Sequence, residues 1–222
     1  PEEKGPISVE GHMATETIQI TAPDMQTRRF HIKGTAPLCI NRFSAKAVEA
    51  MAEAQKQGGQ AKSRKKRDPK DFDLCFENAK HVAEDGWCGI AASAFRNAMI
   101  SACRTVGFKM THAKLAVFIV ADGYDRIDNT PLVRIFAGEP EKWQAPARNA
   151  NGGMDIRIRP LWKEWSAVVT IRFDAGLFSP TDITNLLSRV GLQVGIGEGR
   201  PDSRESAGIG FGTFELAKPP SE

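Results

Sequence analysis

The sequence predicts an α+β fold, a ferredoxin-like or RRM-like βαββαβ sheet with insertions, and three observations predict it. Two segments alternate apolar and polar residues strictly, as half-buried strands do, near residue 30 and near residue 170. Two others carry apolar residues at the 3.6-residue period of amphipathic helices. A short apolar run closes the chain after a glycine-rich loop. Without insertions the order is strand 29–33, helix 92–106, strand 115–120, strand 164–173, helix 182–190 and strand 211–216. This pattern puts both helices on one face of the sheet and leaves the other face open.

In chain order, residues 1–12 read as a vector-derived tag and residues 13–222 as a single domain. Thr17–Thr21 alternates weakly and predicts a strand. Arg29–Lys33 alternates clearly, with Phe30 and Ile32 inward. Ser44 is placed to cap a helix over Ala45–Gln55, which Gly58-Gly59 ends. A basic insertion, about 56–72, follows. Its Gln60–Lys70 stretch has almost no apolar residue with which to build a core and reads as a flexible loop. The strongest helix pattern comes next: Phe95, Ala98, Met99, Ala102, Cys103 and Val106 form one stripe, Ser93 stands as N-cap, and Gly107 occupies the C-terminal cap. Leu115–Val120 predicts a buried strand, Asp122-Gly123 and Asp128-Asn129 turns, and Leu132–Phe136 another strand. Residues 137–153, with Pro140, Pro146 and Asn151-Gly152-Gly153, read as an irregular insertion. Trp165, Ala167, Val169, Ile171 and Phe173 share one face of a long strand. Ser179-Pro180-Thr181-Asp182 is a capping box with proline at the first helical position. Ile183, Leu186, Leu187 and Val190 form that helix's apolar stripe, and Gly191 ends it.

Composition narrows the function classes. No segment approaches the ~18 apolar residues of a membrane span, so no membrane partner is expected. Cys39, Cys75, Cys88 and Cys103 are far apart and form no C-x-x-C pair, which argues against zinc and for reduced thiols, hence a cytoplasmic location. The formal net charge of +3 is modest, but the cations cluster. Lys62, Arg64, Lys65, Lys66, Arg67 and Lys70 form one group, and Arg28, Arg29 and Lys33 a second. Arg157, Arg159, Arg172, Arg189, Arg200 and Arg204 form a third. Three such clusters beside a glycine-rich loop point to a polyanion.

That loop is the most specific feature. Gly195, Gly197 and Gly199 stand before Arg200, Ser203, Arg204 and Ser206; Gly208, Gly210 and Gly212 stand after them. Glycine supplies positive φ and lets a ligand approach the main chain. A dinucleotide site is excluded by context, because the loop runs into a terminal strand rather than opening a helix in a βαβ unit. Catalysis has little support. Of the histidines, His31 lies outward on the first strand, His81 in a charged segment and His112 in a connector, none beside a residue that completes a triad. Asp68, Asp71 and Asp73 read as a solvated, charge-balanced loop rather than a metal site. No cofactor is called for. No pair of strand aromatics suits base stacking, and Trp143 is the tryptophan read as free to stack on a base.

Three segments carry a family resemblance. Phe30-His31-Ile32-Lys33-Gly34-Thr35-Ala36-Pro37-Leu38-Cys39-Ile40 resembles a first strand with its Pro-Leu-x-Ile turn. Gly89-Ile90-Ala91-Ala92-Ser93-Ala94-Phe95-Arg96-Asn97 resembles an Ile-Pro-Gly-Ser-Ser-Leu-Lys/Arg-Gly helix start, with alanines at the Pro, Gly and second Ser positions and Asn97 at the last Gly. Gly195–Phe214 resembles a C-terminal glycine-rich loop and closing strand. Together they are similar to the RAMP superfamily of CRISPR-associated proteins, most closely its Cas7-like backbone subunits, and also look like a compact phage-encoded relative. The resemblance implies non-catalytic binding of single-stranded RNA or DNA, and self-association along the strand or assembly with CRISPR-type subunits. It implies that Ser93 and Arg96 face the nucleic-acid backbone beside the loop. Two alternatives stay open: a metal-independent endoribonuclease of the RAMP type using His31 or His112, and a phage protein that mimics a CRISPR subunit to inhibit the host complex. No aspartate lies between Gly34 and Leu38, so target cleavage known in some relatives is not implied.

Overall fold

A computed structural model describes residues 20–42, 71–148, 154–203 and 208–219, together with positions 52 and 56. The helix expected over 45–55 lies outside the described residues except at position 52, which is helical, and the basic stretch 60–70 and residues 17–19 lie outside them altogether. Residues 20 and 21 are not strand.

The alternation read over 29–33 extends through β1, Met25–Gly34, and seats Ile32 in the core with Phe30 packed against it. A two-residue β2, Leu38–Cys39, follows. Helix α1, Phe72–Asn78, begins at Asp71, whose carboxylate accepts the Leu74 amide at 3.0 Å. Asp73 on its first turn pairs with Lys142, so both aspartates have structural partners. Strands β3 (His81–Val82) and β4 (Cys88–Ala91) lead into helix α2, Ala92–Ala102, which buries Phe95, Ala98, Met99 and Ala102 as the periodicity requires.

Two expectations fail around this helix. Val106 is 49% exposed, because the chain tightens to a 3₁₀ turn over Cys103–Val106, and three residues per turn rotate the apolar stripe off the core. Gly107 does cap that turn, at φ 69°. The predicted strand 115–120 loses its first two residues to a helix: α3 spans Met110–Ala116 and buries only the small faces of Ala113 and Ala116. Leu115 is left exposed, and β5 is confined to Val117–Val120.

Beyond β6 (Gly123–Tyr124) and β7 (Pro131–Phe136), Asn151-Gly152-Gly153 lie outside the described residues, but the stretch 137–153 read as irregular holds a strand, β8 (Glu141–Arg148), that pairs antiparallel with β9 (Met154–Trp162). The pair joins β2 in a three-stranded sheet, β2-β9-β8. Pro146 is tolerated because β8 is an edge strand. Strand β10, Ser166–Asp174, buries Ala167, Val169, Ile171 and Phe173 on one face. The Ser179–Asp182 capping box opens α4, Pro180–Arg189. The helix does not end at Gly191. A π turn carries it to Val194, and Gly191 is needed there because a Cβ would lie 2.1 Å from the Phe214 carbonyl oxygen. The final strand, β11, is Phe214–Ala217.

The chain is thus mixed α+β, with four α-helices among the described residues and an eight-stranded antiparallel sheet. Its spine is β11-β1-β10. The far edge of β10 is shared by β5, along Thr170–Phe173, and β7, along Ser166–Ala167. From β7 the sheet continues to β4 and β3. The Phe214 ring sits 6.1 Å from both Phe95 of α2 and Trp165, tying the last strand to helix and sheet.

Ser179→Ala removes a cap that bonds the Asp182 amide at 3.1 Å. It should cost about 1 kcal/mol in urea unfolding. The Ser179 hydroxyl also holds the Asp182 carboxyl below the usual range. A lowered folded-state value stabilises above the ordinary carboxylate range and is lost as pH falls through it. The gap between parent and variant should therefore narrow on acidification below about pH 4.

Candidate nucleic-acid interface

The glycine-rich loop is drawn tightly onto the turn after β1. The Glu198 amide donates to the Cys39 carbonyl at 2.9 Å, Gly212 to Pro37 at 2.8 Å, and Ile196 to Gly212 at 3.0 Å. All six loop glycines have φ between 67° and 84°. At Gly197 the left-handed conformation coincides with close packing, since a Cβ would lie 2.4 Å from the Cys39 carbonyl oxygen. At Gly210 the conformation alone demands glycine, because a Cβ there would meet nothing within 4 Å. Several loop amides are therefore spent inside the fold rather than turned toward a ligand.

What the loop creates is one wall of a groove. Two clefts, of about 480 and 390 Å³, meet at Ala94, Gly197 and Arg200. The first runs along α2 past Asn97, Ser101 and Arg104 to Lys114 of α3, with Asp202 opposite. The second passes Ala91 and Asn41 to His81, Arg157 and Glu198. Ala91 is the N-cap of α2. No side chain caps that end, no acidic residue lies in its first turn, and Ala91 and Ala94 beside it line the groove.

The structure distributes the sequence candidates unevenly. Arg200 lies where the clefts meet, its Nη1 bonded to the Gly197 carbonyl at 3.1 Å. Ser203 is half-buried at the end of the described loop. Arg204, Ser206, Lys62, Arg64, Lys65, Lys66 and Arg67 lie outside the described residues. Ser93 is exposed within α2 rather than capping it, and neither it nor Arg96 lines the groove. Arg96 instead braces the α3–β5 junction: Nε donates to the Val117 carbonyl at 2.9 Å, Nη2 to Lys114 at 2.5 Å, and the guanidinium lies 5.0 Å from the Phe118 ring centre. His31 lines a separate cavity of about 690 Å³ with Phe136 and Val168, and His112 is exposed on α3 beside Phe108. Trp143 is half-buried, its ring edge-on to Phe211 at 5.5 Å.

Asn97, Ser101, Arg104, Lys114 and His81 join the groove without having stood out as site residues in the sequence. The signal for the first three was present, as the i, i+4, i+7 polar stripe beside the buried face of α2.

The carboxylates that line the groove are already held by arginines, Arg104 and Arg157 of the lining and Arg159, which lines neither cleft. Arg159 Nε donates to Glu198 at 2.6 Å, and Arg157 lies 3.6 Å from the other Glu198 oxygen. Arg104 Nη2 reaches both Asp202 oxygens, at 2.7 and 2.6 Å. Asp202 is held below the usual carboxylate range chiefly by the Ser101 hydroxyl, with Arg104 and Arg200 adding to it. Beneath the loop, burial pushes the Cys39 thiol up to about 12, with the Glu198 charge adding to the effect and Arg159 opposing it. Among the described residues, Arg200 and Lys114 have no carboxylate within 4 Å.

Compared with known proteins, the chain matches no protein-family model, and no curated protein matches it.

Alanine substitutions should separate the two roles of glycine. Gly210→Ala should cost about 1 kcal/mol, the left-handed penalty alone. Gly197→Ala should cost about 3 kcal/mol, because the Cys39 carbonyl must also move. Equal losses in urea denaturation would contradict the packing described.

Proposed function

We propose that this protein binds single-stranded nucleic acid in the groove between α2 and the glycine-rich loop, with phosphates taking the positions that Glu198 and Asp202 carboxylates occupy. One observation carries the reading: the two carboxylates that line the groove, Asp202 and Glu198, are each held by an arginine at bonding distance, Asp202 by Arg104 of the groove wall and Glu198 by Arg159. A site that seats two anionic groups with directed N–H donors has the chemistry a phosphate needs. The uncapped N-terminus of α2 adds a favourable field between them. Binding would exchange each internal carboxylate for a phosphate and leave Arg200 and Lys114 as new contacts.

The ferredoxin-like reading of the fold belongs to the same proposal. Its support is the succession β11-β1-β10-β5, all antiparallel, with α2 after β1 and α4 after β10. The RAMP-type resemblance of the three sequence segments, and the strand-wise self-association it implies, stand with it as proposals. The endoribonuclease alternative based on His31 or His112 has less support, because these histidines line neither cleft of the groove.

A gel shift across single-stranded RNA, single-stranded DNA and duplex tests the reading. Log K should fall with log[salt] by roughly 0.7 per phosphate contact on a single strand. Arg200→Ala should weaken binding roughly tenfold, whereas Glu198→Gln, which releases Arg157 and Arg159, should strengthen it. Salt-independent affinity, or weaker binding by a folded Glu198→Gln, would overturn the proposal.

A further inference from the structure

His81 is a buried polar side chain that the phosphate-binding reading leaves unused. Its ring is about one-tenth exposed, and it lines the cleft that Arg157 and Arg200 share. Behind it lies Asp125, 1% exposed, whose Oδ2 is 2.8 Å from His81 Nδ1. The other oxygen, Oδ1, accepts the Ile127 amide at 2.9 Å and faces Arg42 Nη1 at 3.5 Å. Arg42 is itself buried, its Nε bonded to the Asn78 carbonyl at 3.2 Å.

This network fixes the imidazole's chemistry. Asp125 accepts at both oxygens, so His81 Nδ1 is the nitrogen that carries a hydrogen toward it. In the neutral ring, Nε2 then presents a lone pair. His81, Asp125 and Asp128 have ligand atoms within 4.8 Å of one another, an arrangement open to a cation. The Arg42 guanidinium against Asp125, and the donors already on both Asp125 oxygens, oppose that use.

We infer that His81 Nε2 is the groove's RNA-reading contact, accepting a hydrogen bond from a ribose 2′-hydroxyl. This rests on the proposed single-strand binding in the groove. A phosphate oxygen offers only lone pairs and cannot satisfy an acceptor, so the neutral His81 ring gains nothing from the backbone that RNA and DNA share. A 2′-hydroxyl is a donor that only RNA supplies. Asp125 acts as a positioning residue that sets the tautomer, and Arg42 holds Asp125 in turn.

The test compares oligouridine, oligodeoxyuridine and 2′-O-methyl oligouridine of one length, which share every base donor and differ at the 2′ position. Oligouridine should bind the parent roughly fivefold tighter than the other two, the worth of one net hydrogen bond. His81→Phe keeps the ring and removes the acceptor. It should abolish the preference for oligouridine over oligodeoxyuridine, which a merely structural role would not do. The 2′-O-methyl comparison uses the parent alone and needs no variant to fold. Equal affinity for oligouridine and either analogue overturns the assignment of His81 and leaves groove binding intact. Failure of all three to bind removes the groove reading and this inference with it.

Discussion

The site depends on one closure of backbone on backbone. Cys39 and Pro37, in and before β2, accept amides from Glu198 and Gly212, while Gly212 and Ile196 approach so closely that a Cβ on Gly212 would lie 1.8 Å from the Ile196 carbonyl oxygen. Only a loop punctuated by glycines can lie this flat against another segment. Because it lies flat, Glu198, Arg200 and Asp202 project from fixed positions along α2 rather than from a wandering loop. The same closure buries Cys39 and places Phe214 under α2, so the groove's wall and the core's last layer are set together.

This constraint also explains why the groove's charges are internally balanced. Arg104 in the turn after α2 and Arg157 and Arg159 on β9, set near an uncapped helix start, would leave uncompensated positive charge at a half-buried surface. Glu198 and Asp202 supply that compensation from the loop itself. Exchange of such partly exposed pairs for a phosphate changes the energy little per contact. Affinity would then come from several contacts and from released counterions, which makes ionic strength its main control.

Local patterns were legible in the sequence wherever one face alone decides the outcome. The β10 face from Ala167 to Phe173, the α2 stripe from Phe95 to Ala102 and the Ser179–Asp182 cap are all read from period and capping chemistry, and all are seen. The positive φ of the loop glycines follows from residue type as well. Patterns failed where a tertiary partner decides. Pro146 suggested irregular chain, but the edge strand β8 accommodates it and pairs with β9. Arg96 looked like a phosphate ligand beside Ser93, yet Val117 and Lys114 carbonyls claim it. His81 was hidden because its partner Asp125 is 44 residues away, and no local spacing announces the pair.

A nucleic-acid strand bound as proposed lies along α2 and the loop rather than on the open sheet face around His31. Ultraviolet crosslinking of a single-stranded 4-thiouridine oligonucleotide, followed by peptide mapping, tests this most directly. Crosslinks are expected within residues 90–104 and 195–203. Crosslinks confined to residues 25–33 and 166–174, the β1 and β10 strands, would place the strand on the sheet and contradict it.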